Sequence, residues 1–168
     1  NIGKNGKSQL ENRWINVVFT SNDNKLYIGT CDGIECFNLR TLEYEPLNSI
    51  KKQFPHTIVF SIYEDRQNTM WLGTSIGLMK LSKDRKLIGH YDVEDGLSNS
   101  VVSRIEVDND GNLWLSTNYG LNKFNTKNNT FINFYSSNGL QGNEFNRTAS
   151  TKDDKGNLYF GGINGISY

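Results

Sequence analysis

The chain has 168 residues, a length that fits one compact domain without requiring two. Lys and Arg number 18, as do Asp and Glu, so the formal net charge is zero and no basic run marks a surface for nucleic-acid phosphates. The longest apolar stretches are a few residues, far short of the roughly 20 that cross a bilayer, and the opening NIGKNGKSQL has no apolar signal-peptide core, so no membrane contact is read from these residues.

Aromatic residues make up 12% of the chain, with 16 Gly, 23 Asn and only 2 Pro. This balance predicts many short strands joined by turns that use Gly and Asn at positive φ. In chain order, INVVFTSN (15–22) reads as a strand, followed by KLYIGTCDGIECF (25–37), two strands around an Asp32-Gly33 turn. That turn would pair residue 31 with residue 34, so Cys31 and Cys36 are expected as free thiols. Two thiols with the distant His56 and His90 do not make a zinc site.

IVFSIYED (58–65) and TMWLGTSIGLMKL (69–81) repeat the arrangement, as do VVSRIEVD (101–108) and NLWLSTNYGLNKF (112–124), with a weaker fourth segment at TFINFYS (130–136). The last copy is RTASTKDD (147–154), which is more polar, and NLYFGGINGISY (157–168). Tyr27, Trp71, Trp114 and Tyr159 align, followed by the small residues Gly29, Gly73, Ser116 and Gly161, and then by the turn glycines Gly33, Gly77, Gly120 and Gly165. The separations are 44, 43 and 45 residues. Four short strands in that period make one blade of a β-propeller. The side chains alternate with a period of two, and the breakers lie too close together for a helical solenoid.

The expected fold is therefore all-β, a partial β-propeller of about four blades of four-stranded antiparallel sheets, with approximate boundaries 14–57, 58–100, 101–145 and 146–168, the last incomplete. The aligned rings should wedge between neighbouring sheets. The small residue after each ring admits the next sheet, and the later glycine closes a hairpin.

Several residues invite a chemical reading. Asp108-Asn-Asp110-Gly111-Asn112 is superficially a calcium loop, but its spacing is wrong and the aligned turns vary, so a hairpin is expected and no metal. Arg104 is aligned with Val17, Ser61 and Ala149 on the innermost strands, where its guanidinium could face a carboxylate or sulfate ligand, or an internal salt bridge with Glu106 or a neighbouring blade. The loops 50–57, 92–100 and 136–147 should gather on one face. There Tyr119 could cover a sugar ring while Asn143, Glu144, Asn146 and Arg147 supply polar contacts, although turn formation explains the Asn residues equally well. No G-x-S-x-G, H-E-x-x-H or Walker pattern occurs, and no catalytic residue or cofactor is expected.

The units GLSNSVVSRIEVDNDGNLWLSTNYGLNKFN and TIVFSIYEDRQNTMWLGTSIGLMKLS resemble the two-component regulator propeller repeat, whose pattern runs roughly GL-x-x-N-x-V, a strand, D-x-x-G-x-L-W-[IL]-G-T-x-x-G-L and a further strand. The resemblance extends over nearly all of residues 14–168. The last unit, GLQGNEFNRTASTKDDKGNLYFGGINGISY, resembles the closing blade that precedes an immunoglobulin-like module in the periplasmic sensors of hybrid two-component systems, where NEFN holds the blade in place. Ser116 departs from the usual Gly, and the first unit lacks the GL-x-x-N lead-in and has NDNK for D-x-x-G.

The resemblance implies a non-catalytic fragment of the periplasmic input region of a membrane histidine kinase, with further blades in the parent chain and an oligosaccharide as the ligand. Two alternatives remain: a propeller scaffold for protein partners, and a propeller lyase or glycosidase. The turn is loosely similar to the aspartate box of sialidases, but that box is itself structural. Four blades alone would expose faces and strand edges, so self-association is expected.

Overall fold

A computed structural model describes Leu10 and residues 14–45 and 47–168. Its strands form four antiparallel sheets that follow one another along the chain. The first holds β1 (Ile15–Thr20), β2 (Lys25–Thr30) and β3 (Gly33–Asn38). The second holds β4 (Val59–Glu64), β5 (Met70–Thr74), β6 (Gly77–Leu81) and β7 (Leu87–Tyr91). The third holds β8 (Val102–Val107), β9 (Leu113–Thr117), β10 (Leu121–Asn125) and β11 (Thr130–Phe134). The fourth holds β12 (Phe145–Lys152), β13 (Leu158–Gly162) and β14 (Gly165–Ser167). Strands β1, β4, β8 and β12 lie against one another in sequence, so the first strand of each sheet is the innermost and the sheets fan out from it as propeller blades.

Among the described residues, two of the four sheets have four strands and two have three, where four strands were expected in each complete blade. In the first blade, among the described residues, a single bridge, Phe37 to Tyr44, stands where a fourth strand was expected. The stretch that follows contains Pro46, which has no N–H to give a ladder, and Asn48–Gln53 coils into a short helix, α1, that buries Ile50.

Three of the four aligned rings wedge as their alignment predicts, whereas Tyr159 of the last blade stacks on Tyr168 at 6.1 Å. Tyr27 and Trp71 are fully buried. Tyr27 packs with Val59, Leu72 and Met79 of the second blade, and Trp71 packs with Val102, Leu113 and Phe124 of the third. Trp114, half-buried, meets Phe145 and Phe160 of the fourth. An aromatic side chain buries roughly 150–250 Å², so these rings dominate each seam. The small residue two positions on is what lets the sheets close. A Cβ on Gly29 would lie 2.9 Å from Val59 Cγ1, and one on Gly73 would lie 2.8 Å from the Val102 carbonyl oxygen, both on the next blade.

The hairpin after each second strand differs from expectation by one residue. Thr30 pairs with Gly33, so the loop is Cys31-Asp32, and Gly33 follows it at φ 99. Cys31 thus has no cross-strand partner, Cys36 pairs with Tyr27, and both thiols are free. Burial pushes the Cys36 thiol up to about 11, against the lowering effect of its hydrogen bond with Tyr27.

Candidate functional site

Antiparallel order sends the turns to two ends of the blades. At one end lie the turns joining first to second strands, and at the other lie the second hairpins together with the blade-to-blade segments.

The first end is structural. In the third blade, Asp108 Oδ1 accepts the backbone N–H groups of Asp110 (3.0 Å) and Asn112 (2.8 Å), while Oδ2 accepts Asn112 Nδ2 (2.9 Å) and Trp114 Nε1 (3.1 Å). Lys123 Nζ stands 3.2 Å away. Burial alone would raise this carboxyl, but the bonds from Asn112, Trp114 and Lys123 hold it down at about 2. Its lone pairs are spent on the turn and on orienting the seam tryptophan, which accounts for this Asp without calcium. Asp153 repeats the arrangement, accepting Lys155 and Asn157 N–H groups and the Tyr159 hydroxyl at 3.1 Å. Asp65 repeats the backbone half, with Gln67 and Thr69 at 2.9 Å each. Among the described residues, no three His, Cys, Asp or Glu side chains converge as a metal would need.

The second end holds the loops. Asp92 caps a 3-10 turn, Val93–Asp95, and Gly96 ends it at φ 106. Leu97 then enters the core between the second and third blades. The segment before the fourth blade repeats this with Ser136–Asn138, Gly139 and Leu140. Asn143 fastens that loop: its Oδ1 accepts Ser136 N–H and its carbonyl accepts Gly120 N–H, each at 2.7 Å. Tyr119, 53% exposed, sits in the hairpin beside Gly120 with its ring 5.5 Å from that of Tyr135. Asn143 and Tyr119 are thus brought to one loop cluster. Glu144 is exposed, and its carbonyl accepts Gln141 Nε2 at 3.1 Å.

Asn146 and Arg147 are exposed on β12. The Arg147 guanidinium carbon lies 4.6 Å from the centroid of Phe60, which belongs to β4 of the second blade. Arg104 is apart from this group. Its Nε donates to Ser150 Oγ of the fourth blade at 3.1 Å and lies 3.8 Å from Glu106 Oε1, while Ser150 Oγ donates to Glu106 at 2.6 Å. Both partners named for an internal salt bridge, Glu106 and a neighbouring blade, are engaged.

Two features escaped the sequence reading. Arg85, 6% exposed, donates from Nε to the Tyr27 hydroxyl (2.7 Å), from Nη1 to the Asn68 carbonyl (2.9 Å) and from Nη2 to Glu64, joining the first and second blades. Burial drives the Tyr27 phenol well above its ordinary range, only partly opposed by the Arg85 bond. Nothing in the repeat marks Arg85, because no other copy has an arginine there. The second feature had a visible signal, the Thr after the small residue. Thr30, Thr74 and Thr117 are buried and each donates Oγ1–H to the carbonyl of the turn glycine, at 3.1, 2.7 and 2.8 Å, while accepting an N–H from within the loop.

Residues 53–75 and 96–119 match the family model described as two component regulator propeller. Those two stretches are two-component regulator propeller repeats. Among solved structures it is similar to the extracellular domain of a hybrid two-component system from B. thetaiotaomicron, at 26% identity and a TM-score of 0.80, over 98% of this chain and 22% of that one. A second B. thetaiotaomicron extracellular domain, from a one-component system, matches at 21% identity and 0.78 over 90% and 22%. A virginiamycin B lyase from Staphylococcus aureus matches at 15% identity and 0.66, over 92% of this chain and 52% of that one, a likeness of fold alone. The chain therefore spans about a fifth of the length of the two sensor domains. No curated protein matches its sequence significantly.

Proposed function

We propose that this chain is a non-catalytic part of the extracytoplasmic, periplasmic ligand-sensing region of a hybrid two-component histidine kinase, and that its ligand is an oligosaccharide. The observation that carries the reading is the repeat match together with the likeness, over 98% of the chain, to the extracellular domain of a hybrid two-component system. In the parent protein, further blades and an immunoglobulin-like module would flank these residues. The loop end, with Tyr119, Asn143, Glu144, Asn146 and Arg147, is the face proposed for the ligand. Signalling then needs only different affinities for two arrangements of propeller and neighbour, with no bond made or broken.

The test is a thermal-unfolding screen against a broad panel of oligosaccharides. A ligand that binds only the folded chain stabilises it by about 2.7 kcal/mol at a hundred times its Kd, so one sugar class should raise the midpoint clearly. Product formation from the same panel would instead make this a lyase or glycosidase. Silence in both experiments would leave a scaffold for protein partners and sink the sensing proposal.

Ile15 and Val18 on the first blade, and Ile163 and Ile166 on the fourth, are exposed. Expressed alone, the chain should therefore self-associate through its outer blades. Light scattering that returns the monomer mass at high protein concentration would count against this.

A further inference from the structure

The two arginines on the inner strands are held differently. Arg104 of β8 has a carboxylate, Glu106, and a hydroxyl, Ser150, which itself bonds that carboxylate. Arg147 of β12 is held by a ring alone: its guanidinium carbon lies 4.6 Å from the Phe60 centroid, and the described residues give it no ion pair and no side-chain hydrogen bond. Phe60 stands at the β-bulge between Val59 and Ser61, and although it is on an inner strand it is only 7% exposed. Arg147 itself is exposed, as are Asn146 and Thr148 on either side of it. The register of β12 shifts between Phe145 and Ser150, the stretch that contains all three.

We infer that Arg147, pinned on Phe60, is an oxyanion subsite of the proposed sensor face, and that the oligosaccharide it takes carries a carboxylate or a sulfate. The inference rests on the sensing reading and narrows its ligand class. The chemistry follows from the geometry. A guanidinium held over an aromatic face loses rotational freedom, while its N–H donors, which bond no described side chain, stay open to a ligand. A planar fork of donors with no protein acceptor matches two oxygens of a carboxylate or sulfate. The net charge of zero argues against a general polyanion surface, so recognition would come from this one fork.

Calorimetric titration of the chain with three disaccharides tests this. Digalacturonate carries carboxylates, neocarrabiose 4-sulfate carries a sulfate ester, and galactobiose is neutral. At least one charged sugar should bind, and galactobiose should bind at least about tenfold more weakly. Arg147→Gln should weaken the charged sugar by about tenfold or more, and Arg147→Lys, which keeps charge without the fork, by severalfold. Phe60→Leu should also weaken it by severalfold, with Arg147 intact but no longer pinned. Arg147 is exposed, so its variants should melt like the parent chain.

Which charged sugar binds identifies the source of the oxyanion. Galactobiose binding as tightly as the charged sugars would overturn the inference and leave the sensing proposal standing. Charged sugars binding the Arg147→Gln variant undiminished would do the same. If none of the three binds, the inference falls, and the broad panel decides the sensing proposal separately.

Discussion

The seam between the second and third blades and the seam between the third and fourth are built on the same residue, one repeat apart, and differ in what covers it. Trp71 is 1% exposed, stacked 6.4 Å from Tyr91 and edge-on to Phe124 at 5.6 Å, with Phe131 a further 4.8 Å beyond. Trp114 stacks on Phe134 at 5.4 Å and borders a cavity of about 500 Å³ that Leu158, Phe160 and Ile166 also line. Their indole N–H groups reverse the order. That of Trp114 has Asp108, whereas that of Trp71 is buried without a hydrogen-bond partner among the described residues. The repeat thus places the ring, while its neighbours decide whether apolar burial or a hydrogen bond holds it.

Truncation should expose that difference. Trp71→Ala should cost about 3–5 kcal/mol, the range for large aromatics in closed cores, and Trp114→Ala about half of that, since the ring is only partly covered. Urea unfolding of both variants provides the check. Equal losses would mean that ring coverage is not what separates the seams.

A seam can also be closed by charge, and the first one is. Arg85→Ala would leave Glu64, whose side chain is 3% exposed, with the Asn22 backbone N–H but no charged partner, and release the Tyr27 hydroxyl. Leaving one partner of a buried pair should cost about 3 kcal/mol, and Arg85→Met, which restores volume but not charge, should recover little of it. If Arg85→Ala unfolds at the same urea midpoint as the parent chain, the first seam is held by the Tyr27 packing alone.

These contrasts also mark what the sequence could reveal. A recurring Trp or Tyr, a small residue two places on and a turn glycine at constant spacing specify the blade, because sheet packing tolerates few side chains at those positions. The register of the hairpin was misplaced by one residue, since Asp32-Gly33 is a strong turn signal on its own, whereas here the glycine follows the loop and the Thr hydroxyl closes it. The helix at Asn48–Gln53, beyond the third strand of the first blade, was hidden for a related reason: six residues leave little periodicity. Of the candidate site, Tyr119 and the polar loop were legible as exposed loop chemistry. The stacking of Arg147 on Phe60 was not, because the two residues are 87 positions apart and on non-adjacent blades.

The smallest effects separate two copies of the turn aspartate. Asp108 and Asp153 are both half-buried and accept matching bonds, but Asp108 holds the Trp114 indole and has Lys123 3.2 Å away, whereas Asp153 holds only the Tyr159 hydroxyl in their place. Asp108→Ala should therefore cost about 1–2 kcal/mol, and Asp153→Ala less than that. The pH dependence follows from the sign of the shift. The Asp108 carboxyl in the folded chain titrates at about 2, below its ordinary value of 3.8, so the unfolded chain takes up the proton first. Its contribution is complete above about pH 4 and is lost as the pH falls towards 2. The stability gap between the parent chain and Asp108→Asn, measured by urea unfolding at successive pH values, should close over that window. A gap that stays constant from pH 5 to pH 2 would show that the bonds to Asp108 do not depend on its charge, and that the turn is held by the backbone hydrogen bonds that Asn can also accept.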